Sequence, residues 1–249
     1  MLILLPPSET KRPGGDGAPL AIDRLALPSL HGQRDTVVDA LIALSADPDR
    51  AARVLKLSER QRGDVAHNAA LRTAPTMPAV DRYTGVLFDA LDAATLPAAA
   101  RRWLGAHVLI HSAPFGPVGA LDGIPMYRLA AGTSVPDLPP LRRLWAAPVT
   151  AALDEEPGRF VLDLRSEAYA ALGPVPAGKS GAYVRVVTDG PDGATRALNH
   201  FNKHAKGALV RALALSRPRC ESADALRRWA DEAGWMLRPG ADGELELVV

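Results

Sequence analysis

Short apolar runs recur along the chain, and each is bounded by turn-forming or polar residues, which is the pattern of buried β-strands. The first run, Leu2–Leu5, stops at two prolines. Another, Tyr183–Thr188, alternates apolar and polar residues and stops at an Asp-Gly pair. The other runs that predict strands are His107–His111, Phe160–Leu164 and Leu245–Val249.

Segments with apolar residues at helical spacing lie between these runs. Ser222–Gly234 begins at a serine that can cap a helix and ends in glycine, the expected order. Ser58 is followed three residues later by Gln61, as in a capping box. The other predicted helices are Asp35–Leu44, Val86–Leu96, Leu138–Leu153 and His200–Leu215. Strands that alternate with helices predict a mixed α/β fold, and short linkers without repeats favour one domain over residues 1–249.

Composition narrows the class of protein. With 249 residues, 47% of them hydrophobic and 23% charged, the chain can bury a sizeable core. A formal net charge of +1 argues against a protein coated in positive potential, although it allows a local basic patch. The single Cys220 excludes an intramolecular disulfide and a four-cysteine zinc site. No apolar run approaches the ~20 residues of a membrane span, so we expect a cytoplasmic protein without a membrane partner.

The stretch 193–220 contains six Lys or Arg residues, two His and no carboxylate. A helix over His200–Leu215 places Lys203, His204, Gly207 and Arg211 on one face, together with His200. Gly207 would let a phosphate approach this face closely. Two interpretations stay open, a solvated cationic face and a contact with phosphate or nucleic acid.

The loop after the first strand holds Ser8, Glu9, Thr10, Lys11 and Arg12. It is neither a Walker loop nor a dinucleotide fingerprint, but it follows a strand at the edge where open α/β sheets bind ligands. Lys11 could neutralise a phosphate and Glu9 could orient the lysine or act as a base. The alternative is a surface loop with a local ion pair.

Two other chemistries find little support in the sequence. Ser112 and Ser166 follow predicted strands, but neither has the G-x-S-x-G pattern of a serine hydrolase. His200 and His204 have metal-ligand spacing, yet no carboxylate lies near them in sequence and no HExxH motif occurs. We therefore expect neither a metal site nor a cofactor.

Five stretches in the same order resemble the YaaA family of peroxide-stress proteins, over residues 1 to about 215. They are LILLPPSETKRPG at the N-terminus, YTGVLFDALDA (83–93), GALDGIPMYRL (119–129), FVLDLRSEAY (160–169) and NKHAKGALVR (202–211). Residues 221–249 lie beyond the resemblance as a C-terminal extension. The resemblance implies a compact single-domain α/β fold with a central sheet, flanking helices and a basic cleft, in a divergent, actinobacterial-type member.

The resemblance also implies sequence-independent DNA binding through a helix-hairpin-helix-like element, with residues 82–85 as the hairpin, and a role in surviving hydrogen peroxide by limiting free iron. The expected DNA or phosphate contacts are Ser8, Lys11, Arg12, Gly85, Ser166, Lys203, Lys206, Gly207 and Arg211. With four or five such contacts the slope of log K against log salt would be roughly −4.

The alternative is an enzyme that acts on a nucleotide, a nucleobase or another phosphorylated substrate in the same cleft. Its catalytic residues would be Glu9, Lys11, Glu167 and Lys203. Carboxylates repel phosphate, so DNA binding alone does not explain Glu9 and Glu167. This hypothesis requires Lys11, Glu167 and Lys203 to line one pocket.

Overall fold

The computed structural model describes residues 1–156, 158–189, 195–197 and 199–249. Its strands form a large central sheet and a small three-stranded one. In chain order they are β1 (Leu2–Leu5), β2 (Gly17–Pro19), β3 (Pro75–Pro78), β4 (Val108–Ser112), β5 (Gly116–Gly119), β6 (Gly123–Ile124), β7 (Val161–Asp163), β8 (Gly181–Asp189), β9 (Thr195–Ala197), β10 (Leu237–Pro239) and β11 (Glu244–Val248). All five predicted strands are confirmed, as β1, β4, β7, β8 and β11.

The central sheet has the order β10-β11-β8-β7-β1-β4-β5, with β9 paired to β8. Its inner strands β4, β1, β7, β8 and β11 are parallel, whereas β5, β9 and β10 pair in the antiparallel sense. Leu4 of β1 lies opposite Leu109 of β4 on one side and Asp163 of β7 on the other. Because β1, β4 and β7 are parallel and in close register, their carboxyl ends meet at one edge of the sheet.

Ten α-helices are described around the sheets. They are α1 (His31–Ser45), α2 (Pro48–Val54), α3 (Val65–Ala69), α4 (Ala79–Arg82), α5 (Val86–Leu91), α6 (Ala98–His107), α7 (Leu141–Glu155), α8 (Glu167–Ala170), α9 (Asn199–Ser216) and α10 (Ala223–Glu232). Short 3₁₀ turns cover Ile22–Arg24, Pro28–Leu30, Glu59–Asp64 and Ala93–Thr95. Within the described residues, every helix is too short or too polar to span a lipid bilayer.

The core explains why the apolar runs became strands. All four residues of β1 are buried, as expected for a central parallel strand whose two faces are both covered. One continuous cluster of buried side chains extends from Leu2 in β1 to Leu247 in β11. The fold is therefore mixed α/β, as predicted.

Local chemistry decides where several helices begin and end. Ser222 caps α10 by accepting a hydrogen bond from the amide of Ala225. Ser58 and Gln61 form the expected capping box, but the segment that follows is a 3₁₀ turn. The helix predicted over Val86–Leu96 ends early, because Asp92 takes a left-handed conformation with φ of 44°.

The C-terminal segment 221–249 is part of the central sheet. β11 pairs in parallel with β8, and Leu245 and Leu247 of β11 are buried. Leu226 of α10 and Leu237 of β10 are buried in the same core. The sheet therefore extends through the segment that follows the family resemblance.

Candidate functional site

The loop after β1 is held against the end of α4 and the connection between α4 and α5 by backbone hydrogen bonds. The amide of Arg12 donates to the carbonyl of Arg82 at 2.8 Å, and the amide of Thr84 donates to the carbonyl of Thr10 at 3.1 Å. The Arg82 side chain is fully buried and donates to the carbonyls of Arg12, at 2.6 Å, and Ile124, at 3.1 Å. These contacts fix the loop on both sides of Lys11.

Lys11 is the centre of this loop. Its ammonium group donates to the carbonyls of Ser8, at 2.9 Å, and Glu9, at 3.3 Å. It also lies 4.2 Å from the ring centroid of Tyr127 and 5.6 Å from that of Tyr83. Removal from water lowers the pKa of Lys11 to about 8. A lysine with this pKa has a small neutral fraction near pH 7.

The two tyrosines beside Lys11 are themselves buried and hydrogen-bonded to each other, with 2.8 Å between their hydroxyl oxygens. Burial raises the pKa of both Tyr83 and Tyr127. Both phenols are therefore neutral hydrogen-bonding groups.

Ser112, at the end of β4, is fully buried and its hydroxyl accepts from the amide of Phe115.

A buried chain of polar groups lies at the ends of β7 and β4. The Arg165 guanidinium donates to Asp163 from Nε and Nη2 at 2.9 and 2.6 Å, and Nη1 lies 2.9 Å from His111 Nδ1. Because a guanidinium can only donate, Nδ1 of His111 accepts and Nε2 carries the ring proton. Burial, together with Arg165, lowers the pKa of His111 well below its usual value. His111 Nε2 has no hydrogen-bond partner among the described residues.

Lys206 on α9 is a second desolvated lysine. The residue is 4% exposed, and its Nζ lies 5.5 Å from the ring centroid of Tyr183. Burial lowers the pKa of Lys206 to about 8, an effect opposed by the negative charge of Asp163. In the described part of the chain, Lys206 has neither a hydrogen-bond acceptor nor a carboxylate at salt-bridge distance. Its charge is therefore available to an anion that reaches it.

The predicted catalytic group is not brought together by the described contacts. Glu167 is exposed and forms an ion pair with Arg185 at 3.2 Å. Lys203 is exposed on α9, whereas Lys11 faces the tyrosines. Glu9 is exposed as well, with its carboxylate 3.9 Å from Arg128. That Lys11, Glu167 and Lys203 line one pocket therefore stays a prediction.

The residues of the cationic face predicted for α9 differ in exposure: some face solvent and others contact α5. Lys203 and His204 are exposed, but Gly207 packs against the backbone of Leu87 in α5. Arg211 donates to the carbonyls of Leu91 and Asp92 and to the hydroxyl of Thr95. Gly207 and Arg211 therefore join α9 to α5, and this face does not present them as a continuous phosphate-binding row.

The remaining predicted contacts lie near the loop or at a helix start. Gly85 has φ of 93°, and a side chain there would approach the hydroxyls of Thr10 and Ser8 at 3.1 and 3.3 Å. Arg12 has an exposed side chain. Ser166 precedes α8 and its carbonyl accepts hydrogen bonds from the amides of the first turn. Ser8, Lys11 and Gly85 are thus neighbours, while Ser166 starts a different element.

Sequence reasoning missed most of the aromatic part of the site. All four tyrosines of the chain lie beside the polar groups described above. Tyr83 and Tyr127 contact Lys11. The ring centroid of Tyr169 lies 6.0 Å from that of His111, and the ring of Tyr183 lies beneath the Lys206 ammonium. In a chain with only 5% aromatic residues, tyrosines inside or next to the polar strand-end motifs were a usable signal.

The histidine pair with metal-ligand spacing is only partly covered by the structure. The side chain of His200 lies outside the described residues, and His204 is exposed on α9. Within the described residues no group of three or more His, Cys, Asp or Glu side chains could hold a metal ion.

Comparison with known proteins decides the family. A family model described as "Peroxide stress protein YaaA" matches residues 1–240. The chain belongs to the YaaA family of peroxide stress proteins. The resemblance seen in the sequence is confirmed, and the YaaA match extends beyond residue 215 through β10.

Curated relatives place this YaaA-family chain among actinobacterial proteins. A UPF0246 protein of Corynebacterium glutamicum is 44% identical over 255 residues, which span the whole of both chains. A UPF0246 protein of Corynebacterium efficiens is 45% identical over 259 residues, again over the whole of both chains. A third, from Streptomyces coelicolor, is 45% identical over 215 residues, covering 86% of this chain and 82% of the relative.

Proposed function

We propose that this YaaA-family protein acts in the peroxide stress response by binding a small phosphorylated ligand near the carboxyl ends of β1 and β7. The observation that carries the proposal is the pair of desolvated lysines, Lys11 and Lys206, each with a pKa lowered to about 8. Desolvated cations favour a ligand that brings negative charge to them, because the ligand offsets the free energy lost on burial.

The burial of the lysines favours a small ligand over a duplex. Lys206 is 4% exposed, so a phosphate on the rigid surface of DNA would not reach its ammonium group without movement of α9. A small anion needs far less room than a duplex, and small-molecule sites usually enclose their ligands. The geometry therefore supports the phosphorylated-substrate hypothesis better than a DNA-binding cleft.

The same groups are suited to acid–base chemistry on the bound ligand. A lysine with a pKa near 8 supplies both an acid and a base close to neutral pH. His111, held neutral, offers an unengaged Nε2–H donor within the described residues, and Tyr83 and Tyr127 keep their protons. We therefore propose that the site is enzymatic, with Lys11 as the proton-transfer group.

Isothermal titration calorimetry with inorganic phosphate, pyrophosphate and ribose 5-phosphate tests ligand binding. Lys11→Met and Lys206→Met should each weaken binding of the best of these probes by about tenfold or more, because each loses one charge-assisted contact. Lys56→Met, which removes an exposed lysine elsewhere, is the matched control. Equal affinities in all four proteins, or no binding of any probe to the parent, would contradict the proposal.

DNA binding is a second candidate, favoured by exposed cations in the loop after β1 and on α9. Arg12 and Lys203 are exposed and have no carboxylate partner in the described residues, and His204 is exposed beside Lys203. In this proposal the protein binds DNA largely without sequence preference and limits iron-dependent damage. With two such cations the slope of log K against log salt is about −2, half the value expected from the sequence.

A gel-shift titration with generic duplex and branched DNA at two salt concentrations tests this candidate. Lys203→Ala should reduce the magnitude of the salt slope by about 1, whereas Lys56→Ala should leave it unchanged. For the iron effect, Lys203→Ala should also reduce peroxide survival and raise DNA strand breakage in cells. If the slope of log K against log salt were unchanged in Lys203→Ala, Lys203 would not contact a DNA phosphate.

A further inference from the structure

We infer that the ligand of this protein is a nucleoside monophosphate, whose base occupies a cavity between β7, β8 and the loop after α8 and whose phosphate binds Lys206. This inference rests on the proposed function and specifies its substrate class. It starts from a cavity of about 390 Å³, a size within the range of small-molecule sites. The residues that line it include Asp163, Pro174, Val175, Lys179, Ala182 and Tyr183.

The cavity walls are suited to a flat ring. Alanine, proline and valine side chains from α8 and the loop after it supply apolar surface, and Tyr183 supplies an aromatic ring. Glycines at the start of β8 and just before β11 add no side-chain volume. Nucleic-acid bases stack favourably on aromatic side chains, because every base has a π-face. A planar heterocycle therefore gains more from these walls than a sugar phosphate would.

Asp163 supplies the acceptor that a base needs. Its Oδ1 accepts from the amide and Nε of Arg165, while Oδ2 accepts from Arg165 Nη2. A carboxylate oxygen can accept two hydrogen bonds, so Oδ2 retains capacity for an amino or ring N–H of a base. Because Arg165 already fixes the carboxylate, that acceptor is preorganised.

Of the two lysines near the cavity, Lys206 is the one available to a phosphate. The ammonium of Lys179 donates to the carbonyls of Leu153, Asp154 and Glu156, which uses all three of its protons. Lys206 lacks such acceptors in the described chain and lies 5.5 Å from the ring of Tyr183, a wall of the cavity. One ligand can therefore place its base in the cavity and its phosphate on Lys206, with Tyr183 between the two.

Ligand comparison on the unmodified protein is the first test. AMP, GMP, CMP and UMP are titrated by calorimetry beside their nucleosides and ribose 5-phosphate. At least one monophosphate should bind about tenfold or more tightly than both its nucleoside and ribose 5-phosphate. Monophosphates that bind no better than ribose 5-phosphate would overturn the inference and leave the proposed function standing. Failure of every phosphorylated probe would overturn both.

Two variants then separate the halves of the site. Val175→Trp fills the cavity and should reduce monophosphate affinity to that of ribose 5-phosphate without changing ribose 5-phosphate binding. Ala177→Trp, an exposed position of the same loop that does not line the cavity, is the control. Lys206→Met should lower the affinity for the monophosphates and for ribose 5-phosphate by the same factor. Unchanged monophosphate binding in Val175→Trp would overturn the placement of the base, and its circular dichroism spectrum verifies the fold.

Discussion

Gly207 of α9 lies directly against the main-chain carbonyl of Leu87 in α5. A β-carbon at this glycine would overlap the Leu87 carbonyl oxygen and come within 3.0 Å of the Ala90 β-carbon. The close approach brings Arg211, one turn further along α9, to the last carbonyls of α5. The helix that carries Lys206 is thus positioned by backbone contact.

Gly207→Ala should therefore destabilise the protein, although the same change in an open helix is stabilising. Overpacking against a backbone costs about 1–3 kcal/mol, and it outweighs the gain of about 1 kcal/mol in helix propensity. Urea unfolding measures the free energy of unfolding. Gly32→Ala is the control, because Gly32 lies in α1 with open space where a β-carbon would stand, and this variant should gain stability. A Gly207→Ala protein as stable as its parent would contradict the helix contact.

Lys206→Met should stabilise the unliganded protein at pH 7 by about 1–3 kcal/mol, because it removes a buried charge. The pKa of Lys206 is about 8 in the folded state against 10.5 when solvated. Between these values the unfolded chain binds more protons, so the parent gains stability as pH rises. The advantage of the variant should consequently shrink from pH 8 to 10.5.

Urea unfolding of both proteins at several pH values in this window measures the difference between their free energies of unfolding. The contributions of the other titrating groups are the same in both proteins and cancel. Lys56→Met should match the parent throughout. A constant difference between the Lys206→Met protein and its parent across the window would mean that the folded-state pKa of Lys206 is not lowered.

Arg165→Leu should cost about 3–5 kcal/mol of unfolding free energy. The change leaves the Asp163 carboxylate buried without its partner and removes the donor to His111 Nδ1. Chemical denaturation measures the loss. Arg142→Leu, at an exposed position of α7, should change stability by less than about 0.5 kcal/mol. Equal effects of the two substitutions would contradict a structural role for the buried ion pair.

Arg211→Ala should lower stability by about 1–3 kcal/mol without changing the salt slope of any DNA binding. Its guanidinium donates to the carbonyls of Leu91 and Asp92 at the end of α5. Its loss leaves the Leu91 carbonyl without this donor, whereas the Asp92 carbonyl still accepts from Thr95. Thermal unfolding and gel shifts at two salt concentrations measure the two properties separately. A salt slope smaller in magnitude by about 1, with stability unchanged, would show that Arg211 contacts a DNA phosphate and would contradict its structural role.

The five strands predicted from apolar runs were confirmed because a strand buried on both faces needs consecutive apolar residues, as β1 shows. The unpredicted strands are short or carry little apolar signal. β5 reads Gly-Pro-Val-Gly, and β2 and β3 contain proline. Their pairing is decided by neighbours distant in sequence, which a local pattern does not reveal.

The candidate site was only partly predictable for the same reason. Lys11 stood out as a cation in the polar loop after the first strand, but its tyrosine neighbours are residues 83 and 127. Helical spacing put Gly207 and Arg211 on one side of α9, yet spacing does not reveal that α5 covers that side. Glu9 and Glu167, which suggested chemistry, are exposed and lie beside arginines.

The sequence by itself determined the mixed α/β class, the main strands, the family and the loop that holds Lys11, because these depend on periodicity and on ordered local motifs. Only the tertiary structure decided which charges are buried. Desolvation depends on what packs around a side chain, so Lys206 and Lys203, three residues apart on one helix, differ in exposure and in the chemistry available to them.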